Sequence, residues 1–490
     1  MIRPTPAQQE AIDWRQGNLL IVACAGSGKT ETVSRRIARL VLEGAARPGG
    51  GADTRELTLP GFRHDVCSAA HPMGILSPFF RDLPLEEHGL EWVRPGASVA
   101  HPLDGQPAGM LWRSLDRTVE ELGADGPRYR RLLEPLVANG EGLLRDALGP
   151  LGFPEDPVSF IRFGLRAIWP ANLLARGLFR EETARALLAG CAGHSILPLS
   201  HPMTSALGVM FALTAHMEDW PVAKGGSDAI TSALISLLRA SGGEVRTDSP
   251  VASAEDLPAA RVYLFDTDPH QLARIAGDAL PAGYRRRLQR YRFGPGVFKL
   301  DLAMDGPIPW ADPRCGEAST VHVGGTLAEV AASESAMWQG QHAEKPFVLV
   351  VQQSNFDPTR APDGGATGYA YCHVPANSTV DMTGAIESQI ERFAPGFRDR
   401  ILARHTMTTS DFETLNPNYV GGAITGGVAD LTQLFTRPVA RLDPYGTPNP
   451  RIFICSASTP PGGGVHGMCG WHAAQSAQRR LEDQPVARFG

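Results

Sequence analysis

Leu19-Leu20-Ile21-Val22 is a continuous apolar run, the pattern of a parallel strand buried on both faces. Small residues follow at once in Ala23-Cys24-Ala25-Gly26-Ser27-Gly28, and Thr32, Val33, Ile37, Leu40 and Val41 then recur at helical spacing. The opening therefore reads strand, tight loop, helix. Arg36-Ile37-Ala38-Arg39-Leu40-Val41-Leu42-Glu43 contains no breaker, and its spacing predicts one uninterrupted helix to about Gly44. The other reading is a helix ending abruptly in a strand at Val41-Leu42-Glu43. Residues 229–240 form an amphipathic pattern, Ser241-Gly242-Gly243 turns it, and Glu244-Val245-Arg246 is a strand feeding Val251. Residues 296–303 and 347–354 read as strands of an antiparallel sheet. Residues 451–455 read as a buried strand, followed by a Pro/Gly turn and a helix over 467–480.

With 490 residues, 43% of them hydrophobic, the chain can bury a large core, expected as two domains wound through one another. The formal charge of −6 gives no global reason to bind nucleic acid, so DNA is not an expected partner. The front is different. Arg3, Arg15, Lys29, Arg35, Arg36, Arg39 and Arg47 outnumber Glu10, Asp13, Glu31 and Glu43, leaving the rest of the chain strongly acidic. The cysteines are scattered without a C-x-x-C pair, which points away from a disulfide framework or a zinc site and towards a reducing, cytoplasmic setting. No signal-peptide pattern is expected at the front. No apolar run reaches the ~18–20 residues of a membrane span, so membrane contact is expected to be peripheral at most.

The segment Ala23-Cys24-Ala25-Gly26-Ser27-Gly28-Lys29-Thr30 fits the phosphate loop G-x-x-x-x-G-K-[ST] with alanine at the first glycine. Small residues let backbone N–H groups reach phosphate oxygens, Lys29 adds charge, and the Thr30 hydroxyl suits Mg²⁺. With Thr5-Pro6-Ala7-Gln8-Gln9-Glu10-Ala11-Ile12 upstream, this stretch resembles the amino end of UvrD/Rep-type superfamily 1 DNA helicases. The resemblance implies Mg-ATP at Ala25, Gly26, Ser27, Gly28, Lys29 and Thr30, with Gln8 reading the adenine. It stops between Leu40 and Pro48. Nothing downstream supplies the acid and arginines that an ATPase needs.

A second pattern begins at Gly49-Gly50-Gly51-Ala52-Asp53 and continues through Cys67-Ser68-Ala69-Ala70-His71-Pro72-Met73 and Trp220-Pro221-Val222-Ala223-Lys224-Gly225-Gly226-Ser227. It reappears in Phe293-Gly294-Pro295-Gly296-Val297-Phe298-Lys299, in Ala370-Tyr371-Cys372-His373-Val374-Pro375, and in Ser458-Thr459-Pro460-Pro461-Gly462-Gly463-Gly464-Val465-His466-Gly467-Met468. These blocks resemble FAD-dependent oxidoreductases of the phytoene-desaturase-like family, in the branch of pyridine nucleotide-disulphide oxidoreductase domain-containing protein 2. The resemblance covers about nine-tenths of the chain. It implies FAD, hydride transfer from an apolar small-molecule substrate to the flavin, and an electron acceptor that the residues do not name. Expected cofactor contacts are Glu43, Gly49 and Gly50 after the second strand, Val251 on the adenosine side, and Gly463, Gly464 and Val465 at a helix start. His71, Lys299 and His466 are candidate catalytic residues, with His373 the other polar residue in the blocks; packing or hydrogen bonding is the commoner role for any of them.

The expected fold is α/β, an FAD/NAD(P)-binding Rossmann-like domain interleaved with an α+β substrate domain, with a strand–phosphate loop–helix unit in place of the usual first βαβ. The expected segments are 1–45 (helicase-like), 46–130, 216–295 and 431–490 (cofactor domain), 131–215 (helical cap) and 296–430 (substrate sheet). A family member should carry G-x-G-x-x-G after its first strand. Here Gly26-Ser27-Gly28-Lys29-Thr30-Glu31 puts Glu31 at the third glycine, and Glu43 follows Gly26 by fewer positions than usual. The expectation is an oxidoreductase with an impaired FAD pyrophosphate site. The alternative is an ATP-binding helicase fragment without complete motor domains.

Overall fold

The computed structural model describes residues 19–23 (as backbone), 40–150 and 152–481. Its strands in chain order are β1 (Leu19–Ala23), β2 (Leu40–Glu43), β3 (Thr54–Glu56), β4 (Arg63–Asp65), β5 (Trp92–Val93), β6 (Ala97–Leu103), β7 (Gln106–Leu111), β8 (Val222–Ala223), β9 (Glu244–Arg246), β10 (Val262–Asp266), β11 (Gly296–Met304), β12 (Ala318–Val323), β13 (Val348–Val351), β14 (Ala366–Val374), β15 (Ile401–Met407) and β16 (Ile452–Ile454).

The first sheet has the order β16-β10-β1-β2-β9, every pair parallel. The apolar run at Leu19 is therefore its central strand. From β1 the chain builds outward to β2 and β9, then returns to β10 on the other flank of β1. The boundary between β1 and β10 is the topological switch point, where an open parallel sheet leaves a crevice at its carboxyl edge. Ala23 lies opposite both Glu43 and Asp266, so three strand ends meet there in register.

The spacing predicts a helix to about Gly44, but Leu40–Glu43 form strand β2. Leu40-Val41-Leu42 is consecutively apolar, which suits a strand covered on both faces, and pairing with β1 and β9 overrides helical spacing. Alternation explains the two cores. Val41, Val262 and Leu264 face the helices Asp228–Ala240 and Met468–Leu481 through Leu238, Ala473 and Ala477. Leu42, Tyr263 and Phe265 face the helix Pro269–Ala276 through Leu272 and Ile275.

The second sheet has the order β15-β11-β14-β13-β12-β6-β7. It is mixed rather than purely antiparallel, because β12 pairs with β6 in parallel. Strands β6 and β7, within the 46–130 segment assigned to the cofactor domain, thus belong to the substrate sheet. Phe298, Leu300 and Leu302 of β11 pack against Ile386 and Ile390 of the helix Thr383–Phe393. A helical layer, from Gly126–Val137 to Thr204–Glu218, closes a third side around one large apolar cluster.

Phe265 is fully buried on a central strand. Phe265→Ala should cost about 3–5 kcal/mol, because the packed sheet cannot collapse onto the lost ring. The expected outcome is a clear fall in melting temperature, whereas Val380→Ala at an exposed position should leave it unchanged.

Candidate functional site

At the switch-point edge the carboxyl end of β2 presents Glu43, which is buried. Ala45 N–H donates to its Oε1 at 3.0 Å. The crossing segment after β9 closes over it, with Ser249 N–H donating to the Glu43 carbonyl and Asp248 N–H to the Ala45 carbonyl. Burial pushes the Glu43 carboxyl up to about 7, against the Ala45 and Gly44 N–H groups that favour its charged form. An acid held this way destabilises the fold while ionised, so its placement calls for a ligand that donates to it. Val251 packs into the same core cluster as Leu42 beneath this corner.

The chain next turns through Gly49 and Gly50, both in the positive-φ region that favours glycine. Ala52 N–H donates to the Gly49 carbonyl, and the Thr231 hydroxyl donates to the Ala52 carbonyl at 3.2 Å. This turn brings Gly51 and Ala52 to the wall of a cavity of about 1000 Å³; Gly49 and Gly50 themselves stand behind that wall. A Cβ on Gly51 would lie 2.1 Å from the Tyr419 hydroxyl, so the loop carrying Tyr419 can close only over glycine. Asn418 ties that loop to the end of β10, its Oδ1 accepting from Asp268 N–H at 2.7 Å and its Nδ2 donating to the Asp266 carbonyl at 2.9 Å.

The opposite wall comes from the segment between β16 and the helix Met468–Leu481. Gly463, Gly464, Val465 and His466 all line the cavity. Close backbone approach is built in: a Cβ on Gly426 would lie 2.3 Å from Ala457 Cβ, and one on Gly427 2.1 Å from the Tyr291 hydroxyl. The amino end of the helix, with its positive dipole, opens beside this cradle. Arg437 also lines the cavity; it is buried, its Nη2 donates to the Val428 carbonyl at 3.3 Å, and no carboxylate pairs with it among the described residues. The Thr267 hydroxyl, buried just past β10, lacks a hydrogen-bond partner among the described residues. Arg437 on the cavity wall and the Thr267 hydroxyl can donate, and Glu43 can accept, while Glu43 and Thr267 stand at the carboxyl edge of the sheet rather than on the cavity lining.

The other candidates separate. Lys299 is fully buried behind the wall, where Nζ donates to Asp301 Oδ2 at 2.6 Å and to the Asp65 carbonyl at 2.9 Å, 4.5 Å from the Tyr369 ring centroid. His71 Nε2 lies 3.1 Å from Ser227 Oγ, and burial lowers its ring to about 4, so it is neutral. His373 pairs with Glu334 at 2.8 Å. Arg360 joins Asp65 at 3.0 Å and Asp357 at 2.9 Å, sewing β4 to the substrate sheet's loops. Of the three candidate catalytic residues, only His466 reaches the cavity wall. Gln8, Ala25, Gly26, Ser27, Gly28, Lys29 and Thr30 lie outside the described residues.

Motif reading missed Arg437, Thr267, Asn418 and Tyr369, which stand at no motif position, and passed over Tyr371 inside the Ala370–Pro375 block. Gly426-Gly427 carried a signal, a glycine doublet of the kind recognised at Gly463-Gly464.

The family description UvrD/REP helicase N-terminal domain matches residues 4–50, a stretch that includes β1 and β2. The chain is 25% identical over 526 residues to the Mus musculus protein called pyridine nucleotide-disulfide oxidoreductase domain-containing protein 2, covering 89% of this chain and 88% of that protein. Among solved structures, an oxidoreductase from Methanosarcina mazei superposes with a TM-score of 0.63 at 16% identity over 94% of this chain and 100% of its own. Wild-type putrescine oxidase bound to putrescine gives 0.55 at 16% identity over 95% and 98%. The shared fold is the FAD/NAD(P)-binding Rossmann-like one with an interleaved substrate domain.

A carboxyl whose pKa rises on folding contributes least when ionised, so the Glu43 penalty is absent below about 4.5 and complete above about 7. Without added ligand, Glu43→Gln should therefore gain stability over the parent on the order of 2–3 kcal/mol at pH 8 and almost none at pH 4.5. Urea unfolding across that range checks it; a pH-independent difference contradicts it.

Proposed function

We propose that this chain is an FAD-dependent oxidoreductase that takes hydride from an apolar small molecule. The observation that carries the reading is Glu43, buried at the end of β2 and in register with the switch point. There an acid accepts hydrogen bonds from the adenosine ribose. Arg437 and the amino end of Met468–Leu481 supply positive charge for the cofactor's anionic groups, Thr267 a hydroxyl without a partner among the described residues, and Gly426, Gly427, Gly463 and Gly464 the close backbone approach. The bound flavin supplies the redox chemistry by accepting hydride.

The chain's own residues shape the chamber. Phe160, Met210, Phe211, Trp220, Leu349 and Tyr371 give it an apolar wall that excludes water and orients a hydrocarbon by contact. His194 on that wall is held neutral by burial, at about 3, and adds no charge. The wall's carboxylates among the described residues are Asp146, whose Oδ1 accepts from Glu155 N–H, and Glu155, which pairs with Arg145. Asp146 Oδ2 is the one buried carboxylate oxygen of that wall without a partner among the described residues, set in a lining that is otherwise mostly apolar, and the apolar lining favours an apolar substrate over the putrescine of the superposed oxidase.

In sequence, the segment between β1 and β2 keeps residue types that suit phosphate, Gly26, Ser27, Gly28 and Lys29, but has Glu31 at the position of the fingerprint's third glycine. FAD affinity is impaired accordingly. The purified chain should carry well under one FAD per chain, and occupancy should rise on adding FAD; near-stoichiometric flavin absorbance as isolated contradicts the impairment. Glu43→Ala should weaken FAD binding by about tenfold or more through loss of the ribose contact. Unchanged affinity in that variant overturns the site.

The helicase-like stretch supports a second reading, Mg-ATP at Ala25 to Thr30. It expects a rise in melting temperature with Mg-ATP that Lys29→Ala abolishes; no shift in the parent removes it.

A further inference from the structure

The helix Pro157–Ala167 turns its apolar residues the wrong way for a soluble surface. Val158, Ile161 and Leu165 recur at helical spacing on its outer face and stand 58–60% exposed, while Phe163 and Ala167 fill the inner face. The stripe continues through Ile168 and Trp169 into Leu173 of the next helix, Ala171–Leu178, and Phe153 beside it is 91% exposed. Scattered apolar residues on a surface are ordinary, but a contiguous stripe marks an interaction site. This one surrounds an opening. Phe153, Phe160 and Ile168 line the mouth of the cavity, and across it Leu431 and Phe435 both line the cavity and stand exposed.

The charges beside the stripe that form no ion pair among the described residues are mainly positive, although Arg162 also feels the Asp156 carboxylate. Arg162, Arg166 and Arg176 carry no carboxylate partner among the described residues, whereas Asp156 is spent capping its own helix and Glu155 pairs with Arg145. No described helix is long and apolar enough to cross a membrane.

We propose that this face is a docking surface for an anionic lipid bilayer, seating the cavity mouth in the acyl–headgroup boundary so that an apolar substrate passes from lipid to cavity without crossing water. An outward apolar stripe flanked by free arginines is the composition that holds a helix in a bilayer interface. A second copy of the chain would meet the same arginines, like charge against like, and would plug the mouth. The surface does not depend on the cofactor or reaction, and its test needs no turnover.

The full-length chain is mixed with vesicles of one part phosphatidylserine to three parts phosphatidylcholine, and with pure phosphatidylcholine vesicles, then separated by flotation. The parent should float with the anionic vesicles and bind them about tenfold more tightly than the neutral ones. Ile161→Ser with Leu165→Ser, both exposed and so harmless to folding, should lower binding about tenfold, and Arg162→Glu with Arg166→Glu should remove the preference for anionic lipid. Parent protein that stays with the soluble fraction overturns the proposal. So does vesicle binding unchanged in the serine variant, or a parent dimer that the serine variant converts to monomer without any vesicle binding.

Discussion

Two parallel ladders hold β1 between β10 and β2, and this pairing fixes everything that follows at the carboxyl edge. Parallel strands put all their carboxyl ends on one side, so Ala23, Glu43 and Asp266 converge without any further device. Because the chain leaves β1 on one side for β2 and β9 and reaches β10 on the other, the strand order itself opens a crevice between them. The crevice is a consequence of topology. Residues at that edge are then free to be selected for chemistry, and an ionisable Glu43 can persist there at a cost in stability.

The residues that match the helicase description include β1 and β2, and the rest of the chain completes their sheet. A central parallel strand asks only for a short apolar run, and Leu19-Leu20-Ile21-Val22 meets that demand. Both a phosphate loop and a dinucleotide fingerprint follow such a strand with small residues whose N–H groups face phosphate. They differ in the packing of the helix that follows, where one tolerates a side chain and the other asks for glycine.

Most of the architecture was legible before the structure. Glu244–Arg246, Gly296–Met304 and Ile452–Ile454 are strands near the expected bounds, since a run of apolar or alternating residues between glycine turns has few other solutions. The misreading at Leu40–Glu43 is instructive. Leu, Val, Leu and Glu are compatible with helix or strand, and only pairing with β1 and β9 decides between them, which no local pattern contains. The same holds for β6 and β7, whose membership of the substrate sheet depends on a parallel pairing to β12 over two hundred residues away. In the site, glycines at 463 and 464 were readable because close approach leaves a mark in sequence. Arg437 and Thr267 were not, because what distinguishes them is a missing partner. Lys299 and His71 were singled out by their motif blocks, yet burial has enlisted them to bind one part of the fold to another.

We propose that FAD binds at the carboxyl edge of the first sheet. Hydrogen–deuterium exchange of the full-length chain with and without saturating FAD tests it most directly. Slower exchange is expected in residues 40–52, 425–427 and 456–467 together, since one ligand spans Glu43 and the glycine cradle. Exchange unchanged by FAD in residues 40–52, or protection confined to some other part of the chain, would contradict it.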